Sequence, residues 1–85
     1  MEVIKNYQLN ERDYTQIQMM VFATYPIDRM NENCFDLVRE NGHVLLVHPE
    51  KRVTLIGFDR SGAKKLLEEL IERTGLDVDK LQIRT

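Results

Sequence analysis

Residues 34–58 read CFDLVRENGHVLLVHPEKRVTLIGF, which is three apolar runs separated by two turn signals. The runs are short, rich in β-branched and aromatic residues, and bounded by turn formers, as is typical of β-strands. Asn41-Gly42 separates the first two runs and predicts a type I′ turn, which needs positive φ at both residues. Pro49-Glu50-Lys51 separates the second run from the third. The stretch therefore predicts an antiparallel meander of three strands.

The two turns also predict a register for the meander. A two-residue loop at Asn41-Gly42 pairs Leu37 with Leu46, and the second turn pairs His48 with Val53. Both faces then carry apolar side chains, whereas a half-solvated antiparallel sheet is apolar on one face only. One face carries Phe35, Leu37, Val44, Leu46, Val53 and Leu55, and the other carries Val38, Leu45, Val47, Ile56 and Phe58.

One helix is predicted before the meander in the sequence and another after it. Asn10 is expected to cap the first helix, and Pro26 to end its pattern. Asp59 or Ser61 is expected to cap the second helix, and Gly75 has the position of a left-handed C′ residue. The inward stripe of the first helix is Tyr14, Ile17, Met20 and Val21, and that of the second is Ala63, Leu66, Leu67, Leu70, Ile71 and Thr74.

Weaker strand patterns lie at both ends of the chain, at Met1–Asn6 and around Leu81 and Ile83. Residues 26–33 are expected to form a loop. We predict one α+β domain over residues 1–85, with an antiparallel sheet of four or five strands, two helices and the order β-α-β-β-β-α-β. The second helix should cover one face of the meander, and the first helix should cover part or all of the other.

Composition excludes several classes of protein. The 85 residues carry a formal net charge of −2, so the chain is neither polybasic nor polyacidic. Its single cysteine, Cys34, excludes an internal disulfide framework and a multi-cysteine zinc site, and it favours a reducing, cytoplasmic compartment. No apolar run approaches the ~20 residues of a membrane-spanning helix, and the N-terminus lacks a secretory pattern. We therefore expect a cytoplasmic protein.

Residues 57–65, which read GFDRSGAKK, resemble a phosphate loop in glycine spacing only. A P-loop needs lysine directly after its second glycine, where this chain has Ala63. We interpret the segment as an ordinary strand–turn–helix connection. The alternative is a weak anion site at the helix start, formed by Arg60, Ser61, Gly62 and Lys64, because free N–H groups point outward there.

The remaining polar residues do not form a catalytic or metal-binding pattern. His43 and His48 should point to opposite faces of one strand, so they cannot share a metal. Cys34 has apolar neighbours and is expected to pack rather than react. Asp77 and Asp79 match the start of a calcium loop but lack its glycine and distal glutamate. We therefore expect no enzyme activity, cofactor or metal.

Residues 19–30 contain more apolar side chains than a short helix and a loop need for their own packing. Methionine and aromatic side chains are common at adaptable protein interfaces. We expect a small protein-binding module, such as an inhibitor or regulator of a larger protein, and a homodimer. Nucleic-acid or anion binding at the second helix is the alternative, and we rank it below protein binding. The interface candidates are Met19, Phe22, Tyr25, Ile27 and Met30.

Overall fold

The computed structural model describes the backbone of residues 1–84 and the side chains of residues 1–81. Its strands form one antiparallel sheet in the order β2-β3-β4-β5-β1-β6. The predicted α+β class is confirmed, and residues 26–33 add a short edge strand that was expected to be loop. The elements are β1 (Val3–Gln8), α1 (Glu11–Thr24), β2 (Arg29–Met30), β3 (Cys34–Arg39), β4 (Gly42–Val47), β5 (Arg52–Gly57), α2 (Arg60–Thr74), a 3₁₀ turn (Val78–Lys80) and β6 (Gln82–Arg84).

Local capping fixes both helix boundaries. The side chain of Asn10 accepts a hydrogen bond of 2.7 Å from the backbone N–H of Asp13, as the sequence predicts. Asp59, rather than Ser61, caps α2 by accepting a hydrogen bond of 2.7 Å from Gly62 N. Gly75 ends α2 with a φ of 71°, a left-handed conformation that glycine adopts without a steric penalty. The final strand is present, although the side chain of Ile83 lies outside the described residues.

The predicted register is wrong by two residues at both turns. Arg39 pairs with Gly42, so the first loop is Glu40-Asn41, and Asn41 has no positive φ. Without a positive φ at Asn41, the loop is not a type I′ turn. The Asn41 carbonyl instead accepts a hydrogen bond of 3.0 Å from Phe58 N. At the second turn, Val47 pairs with Arg52 across a four-residue loop. A shift of two residues leaves every side chain on its predicted face.

Both helices pack on the same face of the sheet. The buried side chains of α1 and α2 form one cluster with the face that carries Leu37, Val44 and Leu55. This arrangement corrects the expectation that α1 covers the second face. The helical side chains in the cluster are Tyr14, Ile17, Val21, Leu66 and Leu70, and those of the sheet are Tyr7, Leu37, Val44, Leu46, Val53 and Leu55.

The second face of the sheet is not covered by any described helix. We call it the open face. Its rows follow from the strand pairing, and residues in one row are neighbours across β1, β5, β4 and β3 in turn. The first row is Ile4, Ile56, His43 and Val38, the second is Asn6, Thr54, Leu45 and Asp36, and the third is Gln8, Arg52, Val47 and Cys34.

Replacement of Leu70 by alanine should destabilise the protein by about 2–5 kcal/mol, because Leu70 is fully buried between α2 and the sheet. Glu68→Ala is the matched control, since Glu68 lies on the exposed side of the same helix. Urea unfolding of both variants measures the difference in the free energy of unfolding. Equal losses for the two variants would contradict the packing of α2 described here.

Candidate protein-binding surface

The outward side of α1 carries exposed apolar residues because the helix buries only one stripe. Tyr14, Ile17 and Val21 point into the core, whereas Met19 and Phe22 lie outside that stripe. Met19 is 67% exposed and Phe22 is 42% exposed. The two residues are three positions apart, so they are neighbours on the helix surface. The sequence predicted both as interface candidates.

Residues 26–33 are held against the edge of β3 by polar contacts. The Asp28 carboxylate accepts a hydrogen bond of 2.7 Å from Val38 N. The Asn31 side chain accepts one of 2.8 Å from Asn33 N, and Asn31 N donates to the Cys34 carbonyl at 3.0 Å. These bonds fix the segment in place while the side chain of Met30 remains 70% exposed.

Aromatic contacts join α1 to β3 and to the end of β4. The ring of Phe22 meets Phe35 edge to face at a centroid distance of 4.7 Å, and Phe35 meets His48 at 4.0 Å. The ring of Tyr14 also meets His48 edge to face, at a centroid distance of 6.0 Å. Edge-to-face pairs are favourable beyond the apolar area that they bury. The series gives the surface a rigid aromatic base.

An open groove of about 470 Å³ is lined by two members of this series, Phe35 and His48. We call the groove, together with the exposed side chains of Met19 and Phe22, the α1–β2 surface. Sequence reasoning missed five of its residues, because only the folded chain brings α1 and the segment of residues 26–33 beside β3; they are Gln18, Asn31, Glu32, Phe35 and His48. The residues that line the groove are Gln18, Met30, Asn31, Glu32, Phe35 and His48.

His48 is fixed by Tyr14. The Tyr14 hydroxyl lies 2.7 Å from Nδ1 of His48. Burial raises the pKa of Tyr14 to about 12, and burial together with the nearby Lys51 ammonium lowers the pKa of His48. The phenol therefore stays protonated and donates to a neutral imidazole, whose proton we assign to Nε2.

Tyr25 does not belong to the exposed set, although the sequence grouped it there. Its side chain is only 5% exposed. The guanidinium groups of Arg39 and Arg73 each lie 4.9 Å from the centroid of its ring. Glu69 pairs with Arg39 at 2.7 Å and with Arg73, one helical turn further along α2, at 3.3 Å. Tyr25 thus ties the end of α1 to α2 and β3.

Ile27, the fifth interface candidate, is 37% exposed and lies in the same segment as Met30. It does not line the groove. The structure therefore brings Phe22 and Met30 together around Phe35, with Met19 beside Phe22. Ile27 lies outside this group.

The candidate anion residues lie in the first turns of α2. Arg60, Ser61 and Lys64 are exposed, whereas Gly62 is buried. The N–H of Gly62 donates to the carboxylate of Asp59, which places a negative charge where an anion would bind. The helix start is therefore occupied by its own cap.

The glycine spacing in this segment has a packing cause. A Cβ on Gly57 would lie 2.6 Å from the Cα of Ala63, and a Cβ on Gly62 would lie 2.8 Å from the carbonyl oxygen of Asn41. Both distances are shorter than real Cβ contacts allow. The two glycines let α2 approach β5 and the first turn closely, which accounts for their presence without a phosphate.

The remaining chemistry of the described residues is sparse. Burial raises the pKa of the Cys34 thiol, which disfavours the reactive thiolate. Within residues 1–81, no group of three or more His, Cys, Asp or Glu side chains could hold a metal ion. Among the described helices, none is long and apolar enough to cross a membrane.

Comparison with known proteins adds no relative. No protein-family model, curated protein or solved structure matches this chain. The geometry of the described residues is therefore the only basis for a functional conclusion.

Acid should destabilise the fold through His48. Its pKa in the folded protein lies below the ordinary value of 6.5, so the folded state binds fewer protons than the unfolded state below that pH. The contribution of neutral His48 to the free energy of unfolding is fully present above pH 6.5 and is lost as the pH falls towards the lowered pKa.

His48→Asn tests this assignment, because asparagine can still accept a hydrogen bond from Tyr14 but does not titrate. The free energy of unfolding, measured by urea at several pH values between about 7 and 5, should fall less steeply for the variant than for the wild type. An identical pH dependence for the two proteins would show that His48 is not the group responsible.

Proposed function

We propose that the protein is a non-enzymatic protein-binding module that recognises its partner through the α1–β2 surface. The observation that carries the proposal is an open groove lined by Phe35 and His48, whose rings meet edge to face, with Phe22 packed against Phe35. Exposed methionines lie beside this base, Met19 on α1 and Met30 on β2. A contiguous exposed apolar patch on a small domain is typical of an interaction site.

The composition of the surface supports a protein partner. Aromatic residues and methionine are enriched at the centres of protein interfaces, and methionine adapts to the shape of its partner. The groove is lined by the apolar side chains of Phe35 and Met30 and by the polar side chains of Gln18, Asn31 and Glu32. We infer that a partner inserts an apolar side chain into the groove, where these rim groups can hydrogen-bond its backbone.

The rigidity of the base favours binding. The ring of Phe35 contacts those of Phe22 and His48, and Tyr14 holds His48 by its hydrogen bond. A preformed surface loses little side-chain entropy when a partner binds. The side chains that must become ordered when a partner binds are therefore mainly those of Met19 and Met30.

Catalysis receives less support from the same residues. The closest pairing of a hydroxyl with a base in this region is Tyr14 with His48. Burial raises the pKa of Tyr14 to about 12, which makes its hydroxyl harder to deprotonate than an ordinary phenol and disfavours it as a nucleophile. The pair is suited to holding the ring of His48 in place, and we assign it that role.

Affinity purification from the cell of origin, with nuclease treatment in parallel, tests the proposal. The tagged wild-type protein should retain a partner in stoichiometric amount with and without nuclease. The double variant Met19→Glu, Met30→Glu should lose it, because two charges would be buried at the interface. Both methionines are mostly exposed, so the variant should unfold at the wild-type temperature.

Phe58→Glu is the matched control. Phe58 is also an exposed apolar residue, at 52%, but it borders the open face and contacts His43 rather than the groove. This variant should retain the partner. Loss of the partner in the control alone, or loss on nuclease treatment, would contradict the proposed surface, and the second result would favour nucleic-acid binding.

A further inference from the structure

A cavity of about 370 Å³ lies between α1 and the segment that follows α2. One wall is a single face of α1, because its lining residues have the spacing i, i+3, i+4 and i+7. The other wall is formed by residues 74–81. Small-molecule sites in proteins have volumes of roughly 300–1,000 Å³, so the cavity has the size of a ligand site. The lining residues of α1 are Asp13, Gln16, Ile17 and Met20.

Part of the lining belongs to the core of the protein. Leu9, Ile17 and Leu76 line the cavity, and each is no more than 6% exposed. Thr74 is already satisfied, because its hydroxyl donates to the Leu70 carbonyl at 2.7 Å and accepts from Leu76 N at 3.3 Å. An apolar group can therefore contact this part of the lining without leaving the Thr74 hydroxyl unpaired.

Local hydrogen bonds hold the second wall in place. Gly75 turns the chain away from α2 with a φ of 71°. The Asp77 carboxylate then caps the 3₁₀ turn by accepting a hydrogen bond of 3.1 Å from Asp79 N, and Leu81 N donates to the Val78 carbonyl at 3.2 Å. The cavity is thus preformed, as ligand sites usually are.

The charged residues of the lining leave one carboxylate without a cation. They are Asp13, Asp77 and Lys80. The Lys80 ammonium lies 3.8 Å from the Asp77 carboxylate, so these two charges offset each other. The Asp13 carboxylate accepts a hydrogen bond of 3.1 Å from the neutral amide of Asn10. Among the side chains of residues 1–81, no Lys, Arg or His nitrogen lies within 4.0 Å of it.

Neighbouring charges do not reverse this balance. Arg12 and Asp79 adjoin lining residues in the sequence and have opposite signs. Arg73, which precedes Thr74, forms an ion pair of 3.3 Å with the glutamate one turn earlier on α2. In β6, Arg84 pairs with Asn6, a residue of the open face on the other side of the sheet. The cavity therefore favours a cation over an anion.

We propose that this cavity binds a small amphipathic amine, with its apolar body against Leu9, Ile17 and Leu76 and its ammonium group at the Asp13 carboxylate. A charge-assisted hydrogen bond to a carboxylate is stronger than one between neutral groups, whereas an anionic head would be repelled by Asp13. The cavity shares no lining residue with the groove of the α1–β2 surface, and the proposal does not depend on the proposed function.

Amide chemical shifts of the ¹⁵N-labelled wild-type protein test the site and its preference for a cation. Titration with 2-phenylethylamine, which is protonated at neutral pH, should give saturable shifts in residues 9–20 and 74–81. The matched anion is 3-phenylpropionate, which has the same ring and a carboxylate head. It should bind at least about tenfold more weakly, because it loses a hydrogen bond between charged groups.

Asp13→Asn tests the residue that recognises the ammonium group. Asparagine keeps an oxygen that can accept the hydrogen bond from Asn10 but removes the charge. Affinity for 2-phenylethylamine should fall by about tenfold, whereas affinity for the neutral 2-phenylethanol should not change. Glu32→Gln is the matched control, because Glu32 lines the other groove and its loss should leave the affinity for the amine unchanged.

Contrary outcomes are equally specific. The proposal is overturned if neither 2-phenylethylamine nor the larger tryptamine gives saturable shifts. Equal or tighter binding of 3-phenylpropionate would assign recognition to Lys80 and also overturns it. Shifts centred on Phe35 and His48 would place the amine at the α1–β2 surface, and equal affinities of Asp13→Asn and the wild type would remove the proposed role of Asp13. Circular dichroism shows whether each variant keeps its fold.

Discussion

The close contact between Gly57 and Ala63 is the constraint on which the arrangement of the two layers depends. A Cβ at Gly57 would overlap the backbone of Ala63, so the first turn of α2 lies directly against the end of β5. Beyond this contact, the buried side chains of α2 pack against β5, β4 and β1. α1 packs beside α2 on the same face, and the arginine contacts of Tyr25 hold the end of α1 there. One close approach thus directs both helices to one side.

Packing both helices on one side creates two surfaces with different properties. On the helix side, Met19 and Phe22 lie outside the buried stripe of α1 and remain exposed at the surface, although Phe22 also meets Phe35. On the opposite side, the sheet presents apolar and internally paired polar side chains in ordered rows. Because the sheet lies between them, a ligand on one surface leaves the other accessible.

Local signals in the sequence predicted the boundaries of the two helices well. Asn10 and Gly75 act within one helical turn, so their roles do not depend on the remainder of the fold. The register failed because the loop position is set by a distant group, the N–H of Phe58, which holds the Asn41 carbonyl. The period of two nevertheless preserved the face of every strand residue. The interface candidates were predicted in part, since exposure on a largely apolar helix depends on which neighbour packs against it.

The sequence by itself determined the α+β class, the helix caps, the inward stripe of α2 and the division of strand residues between two faces. These features depend on backbone preferences and on periodicity over a few residues. Only the tertiary structure decided that α1 joins α2 on one face, that Tyr25 is buried between two guanidinium groups, and that Phe35 and His48 underlie a groove. These outcomes depend on contacts between residues far apart in the chain, and a pattern of neighbouring residues contains no information on which distant side chain will fill the space beside it.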